Sequence, residues 1–181
     1  MIALWSEHRR SLFSFAGRET RQPFWLWVLS VVGAAMVIWT VFMTAFVGII
    51  MTGPIEAAPL NFAMAPIVMG VISLTVIVLL AAAVARRLHD SGRSGWWGIP
   101  APLFLMSGMA MMARMFTAIQ ADTQTPGATD AMSGMPPLFG PILLNNLAYL
   151  ASLLMLVILC CMASQPGDNR YGPSANGGDS R

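Results

Sequence analysis

From Phe24 to about Met51 the chain runs without a single charged side chain. That stretch constrains the fold more than any motif does. Around 20 apolar residues in helix cross a bilayer core of about 30 Å, and in that solvent every backbone N–H and C=O must be satisfied within its own segment, which a helix does. Three further segments read the same way, at about 61–85, 96–119 and 138–163. The third is the shortest and enters through the prolines of "GWWGIPAP". Pro66 lies near enough to the start of the second to be tolerated in a first turn, and "SQPG" stops the fourth. Composition agrees, since 56% of residues are hydrophobic and 10% charged, where a soluble domain carries roughly 25% charged residues.

Every basic residue is arginine and the formal net charge is +2. This excludes the broad basic face that nucleic-acid binding needs. Cys160 and Cys161 are adjacent inside an apolar run and read as packing residues rather than a disulfide framework. The first 23 residues hold four arginines and no continuous apolar stretch, so no cleaved signal is expected.

Arginine placement sets the expected orientation. Arg9, Arg10, Arg18 and Arg21 precede the first span, Arg86, Arg87 and Arg93 lie between the second and third, and Arg170 and Arg181 follow the fourth. Arg114 alone falls in the other connections. Positive residues in short flanking loops stay cytoplasmic, so both termini and the arginine-rich loop are expected there. Residues 1–173 read as a single membrane domain and 174–181 as a disordered tail. The Thr-, Gly- and Pro-rich connection "TAIQADTQTPGATDAMSGMPP" reads as a mobile outer loop. Trp5, His8, Leu12 and Phe15 fall on one helical stripe, as in a short interfacial helix on the inner leaflet. The fold class is therefore all-α, an integral membrane four-helix bundle with an N-terminal interfacial helix.

Three polar stretches share the arginine-bearing side: "GRETRQPFW" (17–25), "RRLHDSGRSGWW" (86–97) and "PGDNRYGP" (166–173). In that order, each beside a hydrophobic span, they resemble the bacterial inner-membrane family known as domain of unknown function 805. The resemblance covers most of the chain and implies a small polytopic inner-membrane protein, in a family without an established molecular activity. The connection before the fourth span is longer than is usual in that family, and the methionine-rich third span lies outside its motifs.

Read physically, Gly17 permits a turn, and Arg21, four residues before Trp25, is placed for a cation–π contact of about 1 kcal/mol. Arg86 to Asp90 finish the second helix, Gly92 caps it, and Trp96 and Trp97, like Trp25, anchor at the interface. Asp90 is the anomaly. An acid near a helix C-terminus meets the negative end of the dipole, at a cost of a few tenths to about 1 kcal/mol. It therefore needs an arginine partner, and Arg18 or Arg21 is expected to supply it. The candidate site is one cytoplasmic polar layer built from Arg18, Arg21, Arg86, Arg87, His89, Asp90, Arg93, Asn169, Arg170 and Tyr171.

No nucleophile with a partnered base, no phosphate loop and no Cys/His cluster stands in the sequence, so no enzyme activity, cofactor or metal is expected. The methionines from Met106 to Met115 read as space-filling rather than as Cu(I) ligands. The expected function is that of a non-enzymatic membrane protein engaging anionic lipid headgroups, or a protein partner in the membrane, through the arginine layer. The alternative is a small solute or ion permease using the bundle interior. The spans hold few polar groups for that role. Asn145 and Asn146 stand out on different faces of the fourth, and interhelical hydrogen bonding accounts for at least one of them.

Overall fold

The structure is a computed structural model and describes residues 12–53, 58–124 and 136–173. Among the described residues the architecture is all-α. Helix α1 spans Arg21–Thr52, α2 Ala58–Asp90, α3 Pro100–Gln124 and α4 Pro136–Cys161, with a short 3₁₀ turn at Gly95–Gly98 between α2 and α3. Each long helix packs on its successor, most extensively α3 on α4, and α4 returns to touch α2.

Three of these helices are long and apolar enough to cross a membrane, over Arg21–Ile49, Pro66–Asp90 and Phe139–Cys161. Helix α3 has the length without the same apolarity. Pro100, Pro102, Ser107, Gly108 and Arg114 dilute it. It also continues to Gln124, past the expected end at 119, because Ala, Met and Gln favour helix whether or not they are hydrophobic. Helix α2 ends at Asp90 as expected but starts at Ala58, earlier than the expected span, which places Pro66 inside it rather than in its first turn. Of the expected outer loop, 117–124 belong to α3 and 136–137 to α4. The stretch 125–135 lies outside the described residues, as do 1–11 and 174–181 and therefore most of the N-terminal stripe and the whole tail. Where that N-terminal segment is described, at 12–20, it is a turn followed by irregular chain rather than helix. Gly17, at φ +95°, breaks any helical continuation there.

The membrane-compatible chemistry is visible along the helices. The hydroxyls of Ser30, Thr40, Thr44, Thr52 and Thr75 each donate to the carbonyl four residues back, so they present no unsatisfied donor to lipid. Large apolar side chains such as Leu29, Val41, Val71, Leu150 and Leu154 stay more than half exposed on the outer faces. The buried core is instead concentrated at the arginine-bearing end, where Phe24, Trp27, Val31, Ala83 and Cys160 meet. The Trp27 indole N–H donates to the Leu79 carbonyl at 3.1 Å and ties α1 to α2. Ala82, Ala83 and Ala85 are buried, small side chains that let helix backbones approach closely.

Candidate functional site

The site grows from the way α2 ends. Gly92, at φ +75°, takes the left-handed conformation beyond the last turn. The Arg93 N–H then donates to the Leu88 carbonyl at 2.9 Å, and the Gly92 N–H to that of His89 at 3.0 Å. This pair of bonds is the Schellman pattern, and it fixes the chain direction after Asp90. Arg87 and Asp90, three residues apart, share one face of the closing turn.

Asp90 is completely buried and receives three side-chain donors. Arg18 Nε lies 3.1 Å from Oδ1, while Arg87 Nη1 and Ser164 Oγ both donate to Oδ2. The pairing expected with Arg18 or Arg21 is made by Arg18. Its Nη1 donates to the Gly167 carbonyl at 2.6 Å, and its Nη2 to those of Gln165 at 2.5 Å and Asp90 at 3.4 Å. Arg87 is likewise spent. Its Nε donates to the Cys160 carbonyl at 2.8 Å, Nη2 to that of Met162, and Nη1 also reaches that of Glu19 at 3.4 Å. The Arg87 guanidinium thus sits on the last carbonyls of α4, at the negative end of that helix's dipole. Two cations and one carboxylate leave an excess positive charge in the knot, and these oriented carbonyls offset it.

A second ion pair lies alongside. Glu19 and Arg86, both nearly buried, approach to 3.0 Å. The Glu19 N–H also donates to the Arg86 carbonyl at 3.3 Å, and Arg86 Nη1 to that of Ser14 at 2.6 Å. The Gln165 N–H donates to the Asp90 carbonyl at 2.8 Å, so the N-terminal arm, the end of α2 and the C-terminal segment form one hydrogen-bonded layer.

The structure therefore brings together Arg18, Arg86, Arg87, His89, Asp90, Asn169 and Tyr171. It leaves Arg21 exposed as the first residue of α1. The guanidinium–ring contact found among the described residues is not Arg21 on Trp25 but Arg170 over Tyr171, at 4.7 Å. Trp25 instead meets the Phe24 ring edge-on. Arg93 is half-buried and Arg170 exposed, and among the described residues neither makes an ion pair. Trp96 and Trp97 are exposed. Glu19, Ser164 and Gln165 join the layer although the sequence candidates do not include them. Glu19, the one acid in "GRETRQPFW", was the available signal. Ser164 and Gln165 gave none beyond a helix stop.

Beside the knot, the His89 imidazole stacks on Tyr171 with ring centroids 3.8 Å apart and 5° between planes. Asn169 donates to the His89 carbonyl at 3.0 Å and accepts from the Tyr171 N–H at 2.9 Å, which holds the ring in place. His89 Nδ1 is buried and has no hydrogen-bond partner among the described residues. His89, Tyr171 and Ser94 border a partly open cavity of about 670 Å³ between α2, α3 and α4. The rest of its wall is mainly apolar, including Leu80, Val84, Leu105, Leu153 and Leu156.

The family described as protein of unknown function (DUF805) matches residues 12–173, a range that holds all three polar stretches and every residue of the knot. The chain belongs to this family. No curated protein and no solved structure matches it. Within this DUF805 chain, the three polar stretches are the segments that the Arg18–Asp90–Arg87 knot ties together.

Proposed function

We propose that the protein is a four-span bacterial inner-membrane protein with both termini in the cytoplasm, which binds an anionic amphiphile at its arginine-bearing end. The amphiphile's tail occupies the cavity between α2, α3 and α4, and its phosphate meets Arg93 and Arg170. The role is binding rather than catalysis. The observation that carries this reading is the cavity of about 670 Å³ that ends at the His89–Tyr171 stack, with Arg170 on the far side of the tyrosine. Its volume is in the range of small-molecule sites, roughly 300–1,000 Å³, and its few polar groups converge at one end.

The arginines divide between two tasks. Arg18, Arg86 and Arg87 are engaged with protein acceptors and build the layer. Arg93 and Arg170 remain for a ligand. Moving an acyl chain from bilayer to protein gains little, because lipid tails are as apolar as leucine. Selectivity must then come from the headgroup, at about 1 kcal/mol per arginine near the surface. The interior supports binding over permeation. Inside the bundle Asn145 is spent on Ser107 at 2.6 Å and on the Phe104 carbonyl at 3.0 Å, Ser152 donates to the Tyr149 carbonyl, and the cavity wall is mainly apolar.

The test is native mass spectrometry of the full chain in detergent with phosphatidylglycerol or phosphatidylcholine added. Selective retention of phosphatidylglycerol is expected. It should be lost when Ala81→Phe fills the cavity, and weakened roughly 30-fold by Arg93→Gln with Arg170→Gln, as two contacts of about 1 kcal/mol require. Equal retention of both lipids, or retention indifferent to these changes, would place the lipid on the outer surface and refute the proposal.

A further inference from the structure

A second cavity, of about 260 Å³, lies between α1, α2 and α3, with Trp39, Met69 and Ser73 in its wall. It adjoins the amphiphile cavity, because Val76 and Leu105 border both. Along α2 the two walls are one face. Met69, Ser73, Val76, Leu80 and Val84 follow one another at steps of three and four residues. From Met69 to His89 that face is about 30 Å long at 1.5 Å per residue, the thickness of a bilayer core. The chains of a membrane phospholipid fill one leaflet, about half of that thickness. Two cavities in line therefore suit one chain longer than a phospholipid's.

Two hydroxyls stand along this path without a protein partner. Ser73 and Tyr149 are half-buried on the cavity walls, and neither side chain makes a hydrogen bond among the described residues. Thr75, two residues beyond Ser73, donates instead to the Val71 carbonyl. A saturated hydrocarbon offers such a donor nothing, whereas a carbon–carbon double bond accepts a weak O–H···π contact.

We infer that the amphiphile is a polyisoprenyl phosphate, whose single chain passes Val76 and Leu105 into the second cavity. This rests on the amphiphile reading above and names its chemical class. The isoprenoid chain carries a double bond in every repeat, so one falls near each hydroxyll whatever the register. The thioethers of Met36 and Met69 adapt to its branched methyl groups.

The full chain in detergent is offered undecaprenyl phosphate, farnesyl phosphate and phosphatidylglycerol together and read by native mass spectrometry. Farnesyl phosphate presents the same phosphate on a chain too short to pass Val76. Retention of undecaprenyl phosphate should exceed that of farnesyl phosphate roughly 5- to 30-fold, as two weak contacts to double bonds allow. Val76→Trp, which closes the junction, should abolish this preference and keep phosphatidylglycerol. Tyr149→Phe with Ser73→Ala removes two oxygen atoms and should also abolish it; this variant decides the matter if Val76→Trp fails to fold. Equal retention of the two polyisoprenyl phosphates, or a preference that survives the loss of both hydroxyls, would overturn the inference and leave the amphiphile reading standing. Retention of none of the three would refute that reading and the inference with it.

Discussion

Arg18 and Asp90 meet across 72 residues of sequence, with Nε 3.1 Å from Oδ1 and both side chains sealed from solvent. The contact resolves the acid's conflict with the dipole of its own helix. It also sets the position of the N-terminal arm, because the same guanidinium holds the carbonyls of Gln165 and Gly167.

Arg87 should not tolerate lysine. Its planar fork serves Asp90, Cys160, Met162 and Glu19 at once, and a single ammonium cannot reach all four. Arg87→Lys is expected to cost roughly 2–4 kcal/mol of unfolding free energy in mixed micelles, close to the cost of Arg87→Gln. Near-wild-type stability of the lysine variant would show that charge alone suffices.

Gly92→Ala should destabilise by roughly 1–2 kcal/mol, since a Cβ is strained at φ +75°. An added Cβ would also collide with the Gln165 side-chain oxygen. The same change made in a Gln165→Ala background should therefore cost less, though not zero. Unfolding curves of the four chains separate the two contributions.

The adjacent asparagines should behave oppositely. Asn145→Leu removes the bonds to Ser107 and Phe104 and should cost roughly 0.6–1.7 kcal/mol. Asn146→Leu, at an exposed site, should leave stability unchanged. Unfolding measured in detergent distinguishes them.

What the sequence made legible follows from how local each signal is. The apolar runs are readable because the bilayer rewards composition alone, and Asp90's need for an arginine partner, Arg18 or Arg21, is readable because an acid at a helix end among arginines is a local conflict. Arg87 gave no such sign. Its acceptors are backbone carbonyls of α4, which every residue carries. The far end of α3 lies beyond the expected 119 because hydropathy fades before helix propensity does. The cavity belongs to no single segment, and its wall is indistinguishable in sequence from ordinary packing positions.

Topology is tested by thiol accessibility. In a chain with Cys160→Ala and Cys161→Ala, single cysteines placed at Ala57, Thr125 and Ala175 are exposed to a membrane-impermeant reagent on intact cells. The first two should label and the third should not. Labelling at Ala175 would reverse the orientation and remove the cytoplasmic placement of the arginine layer.

Arg18 and Asp90 hold the three polar stretches together as a pair. Breaking a buried pair from one side costs about 3–5 kcal/mol, because the remaining charge loses its compensation. Asp90→Asn and Arg18→Gln should each fall near that range, and so should the double variant, far short of the sum. The direct measurement is therefore the double-mutant cycle in unfolding free energy, with Arg21→Gln in place of Arg18→Gln as the control. A coupling above about 1 kcal/mol for Arg18, and near zero for Arg21, is the expected result. Additive costs for Arg18 and Asp90 would mean that the two side chains do not act as a pair.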